Sequence, residues 1–465
     1  MKLPNLYPNV DPAKLVDLLH SASLRDFLQS EAAQDERGRI SRAQKTFGPM
    51  ASFALEQLHV QRKAVIKAPH LYRSGWLFTQ RSLEQCTSEA VARVKSKWMQ
   101  GDRFTDLTTG AGVDAFFASR SDVPLSLAEH DPLLRALLAY NFRWTGNLLN
   151  IEEDGMSYLK SISESASMSG VHTPLMKTKV VDSGNPIDRH AIGSVAYIDP
   201  DRRPDGRRTS SWQDSIPNII AIMPQLCRAF DSVWVKSSPM TDPTASMRAW
   251  NGHTTDVFAI CWQGELKEIL FRVQKERHGD CRLHAVYIHG HDPNDPIDAI
   301  KDQNTAPMVH DIVPHPFHIY SRSLSEAKAV YSNASQVGPG DMLFEPHAGL
   351  TRLNISGHFA AEMGYTQLAP HVPYFLMDSN HSALRTDHMP GRIFKIREVL
   401  NYQPKTLATQ LKAMGVHRAM LASKCFYLNE AQLRSTLKIP DGDDAYLIFT
   451  TLSGNRAVCF VADLL

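Results

Sequence analysis

Phe104-Thr-Asp-Leu-Thr-Thr-Gly110-Ala-Gly-Val-Asp114 is the stretch that decides the fold of this chain. It predicts an apolar strand that ends at Asp106, a tight turn at Gly110 and Gly112, and a helix that opens at Asp114. Glycines at such a turn let the backbone approach a ligand, and the first N–H groups of the next helix can bind it. The stretch therefore predicts a strand–turn–helix unit that holds a nucleotide-type cofactor.

A second apolar strand ends in an acid at the distance that a ribose site requires. Val123-Pro-Leu-Ser-Leu-Ala leads into Glu129, seventeen residues after Gly112. A carboxylate at the end of the second strand is suited to bind the two hydroxyls of a ribose. Thr108 has two interpretations, as a hydroxyl in the same pocket or as a cap of the turn. Together these positions predict a ligand that contains adenosine.

The charge near the first strand favours S-adenosylmethionine (SAM) over a nicotinamide dinucleotide. Gly110-x-Gly112-x-x-Ala115 also satisfies the dinucleotide fingerprint, so the glycines alone leave both cofactors open. Asp106, however, lies four residues before Gly110, where a carboxylate can hold a cationic amino group and would repel a diphosphate. We therefore expect SAM as the cofactor, and a nicotinamide oxidoreductase stays a distant alternative.

Short motifs extend from this turn in both directions along the chain. They are Ser82-Leu-Glu-Gln-Cys-Thr-Ser-Glu89, the glycine turn itself, Glu129-His-Asp-Pro132, Asp199-Pro-Asp-Arg-Arg203, Val235-Lys-Ser-Ser-Pro-Met240, Leu343-Phe-Glu-Pro346 and Asp441-Gly-Asp-Asp-Ala-Tyr-Leu. With these motifs in this order, most of the chain resembles the class I SAM-dependent methyltransferases of bacteria that carry a C-terminal THUMP-like domain. The resemblance implies methyl transfer, and RNA is the expected acceptor because THUMP domains bind RNA.

The resemblance also implies roles for three acids at the cofactor. Asp106 is expected to hold the methionine amino group, and Glu129 the ribose. Asp154, in Asn150-Ile-Glu-Glu-Asp-Gly, falls where the third strand of the family ends and could accept the adenine amino group. Three acids lie within three positions there, so the spacing alone does not decide which of them does so.

The acceptor side is expected at the Asp199-Pro200 step, which ends a later apolar strand. The Asp199 carboxylate can accept a hydrogen bond from an N–H of the acceptor and so orient it, and the alternative is a turn that only ends the strand. Arg202 and Arg203 open a run of four arginines that suits the phosphates beside a target nucleotide. In the alternative interpretation, these arginines pair with nearby aspartates in a solvated loop. Lys236 is expected near the same pocket, or else as a buried stem with an exposed amine.

Two features of better understood methyltransferases are missing. Enzymes that methylate exocyclic amines usually carry an aromatic residue after the Asp-Pro-Pro step, whereas here the loop reads Asp-Pro-Asp-Arg-Arg. Pyrimidine-C5 enzymes need a nucleophilic cysteine, but neither Cys227 nor Cys261 lies in a reactive motif, and we expect both to be structural. Two groups of histidines lack a zinc-site spacing, so no metal is expected; they are Cys281/His284/His289/His291 and His310/His315/His318.

Composition indicates a globular protein without a membrane segment. The chain has 465 residues, 43% hydrophobic and 21% charged, with a net charge of +1. Such a charge excludes a global electrostatic attraction to nucleic acid, which leaves only local patches for that role. The six scattered cysteines form no CxxC pair, and the N-terminus has no apolar signal core. These features predict a reduced, cytoplasmic protein.

Hydrophobic periodicity predicts α/β structure in four regions, and the resemblance implies that these include a methyltransferase domain, a ferredoxin-like unit and a THUMP-like unit. Residues 1–95 form a mostly helical N-terminal region, and 96–290 a Rossmann-like methyltransferase domain with a mainly parallel sheet. A linker and a small ferredoxin-like α/β unit follow at 291–390, and a THUMP-like unit at 391–465. The predicted core strands are 103–107, 123–128, 194–198, 231–235, 256–262 and 282–288. Helices are predicted over 12–30, 53–65, 88–99 and 351–363, and a long polar loop over 160–190.

Two other functions stay open at this point. The first is a non-catalytic RNA-binding adaptor that retains a SAM pocket, which the missing aromatic residue favours. The second is methylation of a protein or a small molecule, which the near-neutral charge favours. The oligomeric state and the identity of the acceptor atom cannot be predicted from these motifs.

Overall fold

The structure is a computed structural model that describes part of the chain. The described residues are 12–30, 36–119, 123–143, 149–169, 193–201, 211–250, 252–275, 280–289, 317–325, 337–370, 372–377 and 390–465. They pack into two compact units. Unit 1 takes its described residues from Met1–Val257, Glu268–Gly279 and Ile288–Phe317, and unit 2 from Phe258–Lys267, Asp280–Tyr287 and His318–Leu465.

Unit 1 begins with short helices. They are α1 (Pro12–His20), α2 (Ala22–Ser30), α3 (Glu36–Phe47), α4 (Ala51–Lys67), α5 (Pro69–Arg73), α6 (Gln80–Gln85) and α7 (Glu89–Ser96). The predicted helix over 12–30 is two helices, because the hydroxyl of Ser21 bonds the Leu18 carbonyl at 2.7 Å and accepts from the Leu24 N–H at 3.2 Å. These bonds end α1 and start α2. Leu19, Leu24 and Phe27 then share one core cluster.

A parallel sheet with covering helices forms the centre of unit 1 and confirms the predicted Rossmann-like class. Its elements are β1 (Arg103–Asp106), α8 (Val113–Ala118), β2 (Leu125–Ala128), α9 (Pro132–Asn141), β3 (Leu149–Glu152), α10 (Gly155–Ser169), β4 (Ser194–Ile198), α11 (Ile219–Ala229), β5 (Ser232–Ser237) and α12 (Pro243–Ala249). The parallel strands follow the order β3-β2-β1-β4-β5. The order reverses between β1 and β4, and ligands of such sheets bind at the carboxyl ends of the strands at that point.

Four further strands each contribute residues to both units: β6 (Thr254–Trp262), β7 (Glu265–Gln274), β8 (Arg282–Ile288) and β9 (Phe317–Ser323). Within unit 1, β7 runs antiparallel to β5, with Val233 opposite Val273. The sequence did not predict β7, because the charges of Glu265, Lys267 and Glu268 are typical of a solvated segment. In the structure Glu268 is buried.

Unit 2 contains a separate sheet of seven strands in the order β11-β12-β10-β13-β16-β15-β14. Its elements are β10 (Met342–Pro346), α13 (Ala348–Arg352), α14 (Ser356–Glu362), β11 (Thr366–Gln367), β12 (Phe375–Leu376), β13 (Gly391–Asn401), α15 (Pro404–Ala413), β14 (Met420–Ser423), α16 (Glu430–Leu437), β15 (Tyr446–Leu452) and β16 (Arg456–Leu464). The closing antiparallel pair, β15 and β16, follows the Asp441-Gly442 turn, in the order that the sequence predicts.

Three local predictions were wrong. The helix predicted over 351–363 is α13 and α14, because Asn354 takes a left-handed φ of 57° that a continuous helix cannot contain. The polar stretch 160–190 begins as helix, since α10 continues to Ser169, and residues 170–190 lie outside the described part. The sequence also predicts that Thr87 or Ser88 caps the helix over 88–99 through its side chain, but Ser88 makes no such bond and the Thr87 hydroxyl donates to Asp114.

Candidate functional site

The glycine turn after β1 has the tight geometry that the sequence predicts. Gly110 and Gly112 take φ values of 57° and 78°, which other residues rarely adopt. The Thr109 hydroxyl fixes the turn, because it donates to the Asp106 carbonyl at 3.2 Å and accepts from the Ala128 N–H at 3.1 Å. The carboxyl ends of β1 and β2 are thereby joined at the edge where a ligand would bind.

Two glycines allow close packing around this turn. A Cβ on Gly112 would lie 2.7 Å from Leu138 and 2.8 Å from Phe142, both side chains in or next to α9. A Cβ on Gly155 would lie 2.3 Å from the carbonyl oxygen of Leu107, so the start of α10 approaches the end of β1 directly. The helical N-terminal region also reaches the turn, since the Trp76 indole donates to the Ala111 carbonyl at 3.3 Å. The turn is therefore held from several sides.

Asp106 lies at the end of β1 and is 1% exposed. Its Oδ1 accepts the Thr108 N–H at 3.0 Å. Burial raises the pKa of Asp106 well above its ordinary value, and the nearby carboxylates of Asp114, Asp199 and Glu129 raise it further, although the Thr108 N–H lowers it. A buried carboxylate among other acids is stabilised in its charged form by a cation. The environment of Asp106 therefore fits an ammonium group, as predicted for the methionine end of SAM.

Glu129 links the glycine turn to the end of β2. One carboxylate oxygen accepts the Gly110 N–H at 2.9 Å, and the other accepts the Asp131 N–H at 2.8 Å. Burial raises the pKa of Glu129, although these two N–H groups lower it. Each carboxylate oxygen has a second lone pair. Glu129 is thus oriented by the backbone and retains acceptor capacity for a diol.

Thr108 and Asp154 each have a partner within the protein. The Thr108 hydroxyl accepts the Asp199 N–H at 2.7 Å, so it ties the turn after β1 to the end of β4. Asp154 is exposed and caps α10, because its carboxylate accepts the Met156 N–H at 2.8 Å and the Ser157 hydroxyl at 3.0 Å. The adenine contact of Asp154 stays a prediction, and the capping bonds show how its carboxylate is oriented.

Asp199 and Lys236, which the sequence places 37 positions apart, form an ion pair. Lys236 Nζ lies 2.7 Å from Asp199 Oδ2. Burial alone lowers the pKa of Lys236, but the carboxylates of Asp199, Glu268 and Asp114 raise it above its usual range. Lys236 is therefore an ammonium at neutral pH, and it pairs directly with the Asp199 carboxylate. Pro200, the next residue, is buried and fixes the start of the loop.

A fully buried lysine, which the sequence analysis did not predict, lies in the same part of unit 1. Lys95, on α7, is 0% exposed, and its Nζ lies 2.8 Å from Asp114 Oδ1 and 2.8 Å from Glu268 Oε1. It also donates to the Tyr197 hydroxyl at 3.1 Å. The Tyr197 and Thr87 hydroxyls in turn donate to the other oxygen of Asp114, at 2.8 and 2.7 Å. Lys95 thus connects α7 and α8 with β4 and β7.

Charge distinguishes the ligands that this site accepts. Five carboxylates (Asp106, Asp114, Glu129, Asp199 and Glu268) lie in this region with two ammonium groups, Lys95 and Lys236, and those of Asp114, Asp199 and Glu129 raise the pKa of Asp106. Low dielectric strengthens such interactions. The excess of negative charge fits a cationic ligand and disfavours a diphosphate, which agrees with SAM and not with a nicotinamide dinucleotide.

The remaining sequence predictions have mixed outcomes. Arg202 and Arg203 lie outside the described residues. Cys261 is buried, and burial raises its pKa to about 12 and also raises that of Cys227, which disfavours the thiolate form of both side chains. Within the described ranges, no three histidine, cysteine or acidic side chains converge as metal ligands. None of the described helices is both long and apolar enough to cross a bilayer.

Comparisons with known proteins agree with this geometry. Two curated relatives, from Mycobacterium tuberculosis strains CDC 1551 / Oshkosh and ATCC 25618 / H37Rv, are named S-adenosylmethionine-dependent methyltransferases. Each is 22% identical over 421 residues, which cover 87% of this chain and 94% of the relative. The crystal structure of a candidate methyltransferase from Porphyromonas gingivalis W83 aligns with a TM-score of 0.71 at 19% identity, over 95% of this chain and 97% of that one. That likeness shows the fold.

The C-terminal part matches a described family of its own. Residues 391–463 match the THUMP domain-like family, which covers β13 to β16 of unit 2. Together, these comparisons confirm the resemblance to class I SAM-dependent methyltransferases with a C-terminal THUMP-like domain. They also agree with the predicted enzyme class and its SAM cofactor.

Proposed function

We propose that this protein is a methyltransferase that binds SAM at the carboxyl ends of β1 and β2 and methylates a base in RNA. The observation that carries the proposal is the pair formed by Asp199 and Lys236, at 2.7 Å, beside the acid-rich turn that contains Asp106 and Glu129. The cofactor half and the acceptor half thus meet at the point where the strand order reverses.

Methyl transfer from SAM requires little acid–base chemistry of the protein, because the sulfonium supplies an activated methyl group. The protein must hold the acceptor lone pair in line with the methyl carbon. Asp199 can accept a hydrogen bond from the acceptor N–H and can receive its proton after transfer. Lys236 holds the Asp199 carboxylate in place, and Thr108 fixes the Asp199 backbone at 2.7 Å. Arg202 and Arg203 belong to the proposal as phosphate contacts, on the basis of their place in the sequence.

RNA is favoured as the acceptor by the THUMP domain-like match at residues 391–463, since the sequence resemblance implies RNA binding for that domain. We also propose that Asp154 accepts a hydrogen bond from the adenine amino group, because it falls where the third strand of the family ends. We infer a cytoplasmic location from the six scattered cysteines, which form no CxxC pair in the sequence. A non-catalytic adaptor and a protein or small-molecule methyltransferase are the other outcomes of the test below.

The test uses SAM labelled on its methyl group, the purified full-length protein and an extract of cells that lack the gene. Label is counted separately in the RNA, protein and small-molecule fractions. Asp199→Asn should abolish the label in RNA while SAM affinity, measured by calorimetry, stays within about threefold, because Asp199 contacts the acceptor. Asp17→Asn, at an exposed position on α1, is the matched control and should behave as the unchanged protein.

Each of the other possible results would indicate a different function for this protein. Label in the protein or small-molecule fraction would replace RNA as the acceptor. SAM binding with no label in any fraction would indicate the adaptor. Absence of SAM binding would overturn the cofactor assignment itself.

A further inference from the structure

Two large apolar side chains are exposed at the carboxyl edge of the sheet, next to the proposed acceptor site. Ile216 is 60% exposed and Met240 is 71% exposed. Exposed apolar groups beside polar ones often mark a binding site. We propose that Ile216 and Met240 are specificity-determining residues that hold the two faces of a planar acceptor base, while Asp199 and Lys236 bind its polar edge. This inference rests on the proposed function and deepens it.

Ile216 is held in a fixed position close to Asp199. Its backbone forms an antiparallel bridge with Asp201, with both N–H···O distances at 2.8 Å, and Asp201 lies two residues after Asp199. The neighbouring Ser215 hydroxyl lies 2.7 Å from the Trp212 carbonyl and 2.8 Å from the Pro217 carbonyl. These bonds fix the backbone, so the exposure of Ile216 does not come from an unanchored loop.

Met240 is held in the same way, after β5. It lies four residues beyond Lys236, in a turn that the Thr241 N–H closes on the Ser238 carbonyl at 3.0 Å. The Met240 N–H also bonds the Ser238 hydroxyl at 3.2 Å, and Asp242 caps α12 directly afterwards. Because β4 and β5 are adjacent and parallel, the residues that follow them lie at one edge. Ile216 therefore follows β4, which ends directly before Asp199, and Met240 follows β5, which contains Lys236.

The combination of groups indicates the kind of acceptor. The Asp199 carboxylate can accept a hydrogen bond and the Lys236 ammonium can donate one, so the pair matches a ring edge that has both donors and acceptors. The two apolar side chains match the flat faces of such a ring. A base extruded from a strand has that chemistry, and proteins that act on such bases read the edge and pack apolar groups against the faces. A lysine or arginine side chain of a protein acceptor would instead bring a flexible cation close to Lys236. No aromatic residue directly follows Asp199-Pro200 and Trp212 further along is buried, so Ile216 and Met240 are apolar side chains that this chain exposes near the step instead.

The inference is tested with Ile216→Ala, Met240→Ala and the double variant, in full-length protein, on RNA from cells that lack the gene. Each single variant removes an apolar contact with a face of the ring and should lower kcat/KM by roughly tenfold, which corresponds to the loss of one to two buried methylene groups. SAM affinity should stay unchanged, which also shows that the variants fold. Ile216→Val and Met240→Leu should retain activity, because they keep an apolar surface, whereas Met240→Gln should not. Ile66→Ala, at an exposed apolar position on α4, is the control and should leave kcat/KM unchanged.

The outcomes separate this inference from the proposed function. If the unchanged protein methylates RNA and the double variant keeps kcat/KM within about twofold, the role of Ile216 and Met240 is overturned and the proposed function stands. If the unchanged protein binds SAM but labels no RNA, both are overturned together. Equal activity of Met240→Gln and Met240→Leu would also contradict an apolar wall.

Discussion

The ammonium of Lys95 and the carboxylate of Asp114 lie 2.8 Å apart inside unit 1, where Lys95 is inaccessible to solvent. Asp114 belongs to the helix that opens after the glycine turn, and Lys95 to the last of the N-terminal helices. Burial raises the pKa of Asp114, but Lys95 and Lys236 lower it below its ordinary value overall. This pair therefore joins α7 directly to α8, the helix that follows the glycine turn.

Lys95→Met should destabilise the protein strongly. The change removes the partner of two buried carboxylates, Asp114 and Glu268, and breaking a buried ion pair costs about 3–5 kcal/mol. Glu268→Gln in the Lys95→Met background should recover part of the lost free energy of unfolding, since it removes one of the two unpaired charges. Urea denaturation of the four proteins of this cycle measures the effect. Equal stability of the unchanged protein and Lys95→Met would refute the pairing.

Asp106→Asn should weaken SAM binding and stabilise the ligand-free protein. A hydrogen bond to a charged group contributes about 1.5–3 kcal/mol, so the Kd for SAM should rise roughly 10- to 150-fold. The ligand-free protein should melt at a higher temperature, because a buried carboxylate among other acids is replaced by a neutral group. Calorimetry and thermal unfolding test both effects on one sample. Unchanged SAM affinity would remove Asp106 from the cofactor site.

SAM binding should weaken as the pH falls through the raised pKa of Asp106. Burial holds this pKa well above 3.8, so the folded protein carries a proton there at pH values where the unfolded chain has lost it. The contribution of Asp106 to the free energy of unfolding of the ligand-free protein consequently declines as the pH rises from the ordinary pKa of an aspartate to the raised pKa in the folded protein. SAM binding requires the ionised carboxylate of Asp106, so the affinity for SAM increases as the pH rises over the same range. In Asp106→Asn both dependences should be smaller, and a profile identical to that of the unchanged protein would contradict this assignment.

Gly155→Ala should disturb the cofactor turn from the side of α10. The new methyl group would lie 2.3 Å from the Leu107 carbonyl oxygen, so the backbone must shift, and overpacking of this kind costs about 1–3 kcal/mol. SAM affinity should fall as well, because Leu107 follows Asp106 directly. Gly338→Ala is the matched control, since nothing lies within 4 Å of its added Cβ. Similar effects of the two substitutions on SAM affinity would rule out the proposed contact.

The local features of the site were predictable, and the contacts between distant segments were not. A strand that ends in an acid, two glycines with positive φ and an acid after the next strand are all written within 26 residues, from Phe104 to Glu129. The position of Lys236 near Asp199 could also be predicted, from the order of the motifs along the chain. Lys95 and Glu268 lie 173 positions apart in segments whose charges are typical of solvated surface, and only their pairing makes their burial possible. Helix interruptions at Ser21 and Asn354 depend on single local bonds and φ values that apolar periodicity does not report.

The THUMP domain-like match begins at residue 391, but the seven-stranded sheet of unit 2 already includes the earlier strand β10. Residues Gly391–Lys395 of β13 pair antiparallel with β10, so a fragment that starts there would leave the edge of β13 that faces β10 without a neighbouring strand. Bare strand edges of this kind recruit other chains and cause aggregation. The segment that sequence similarity identifies is thus smaller than the piece that can be expressed by itself, and a soluble fragment for RNA-binding work should include β10.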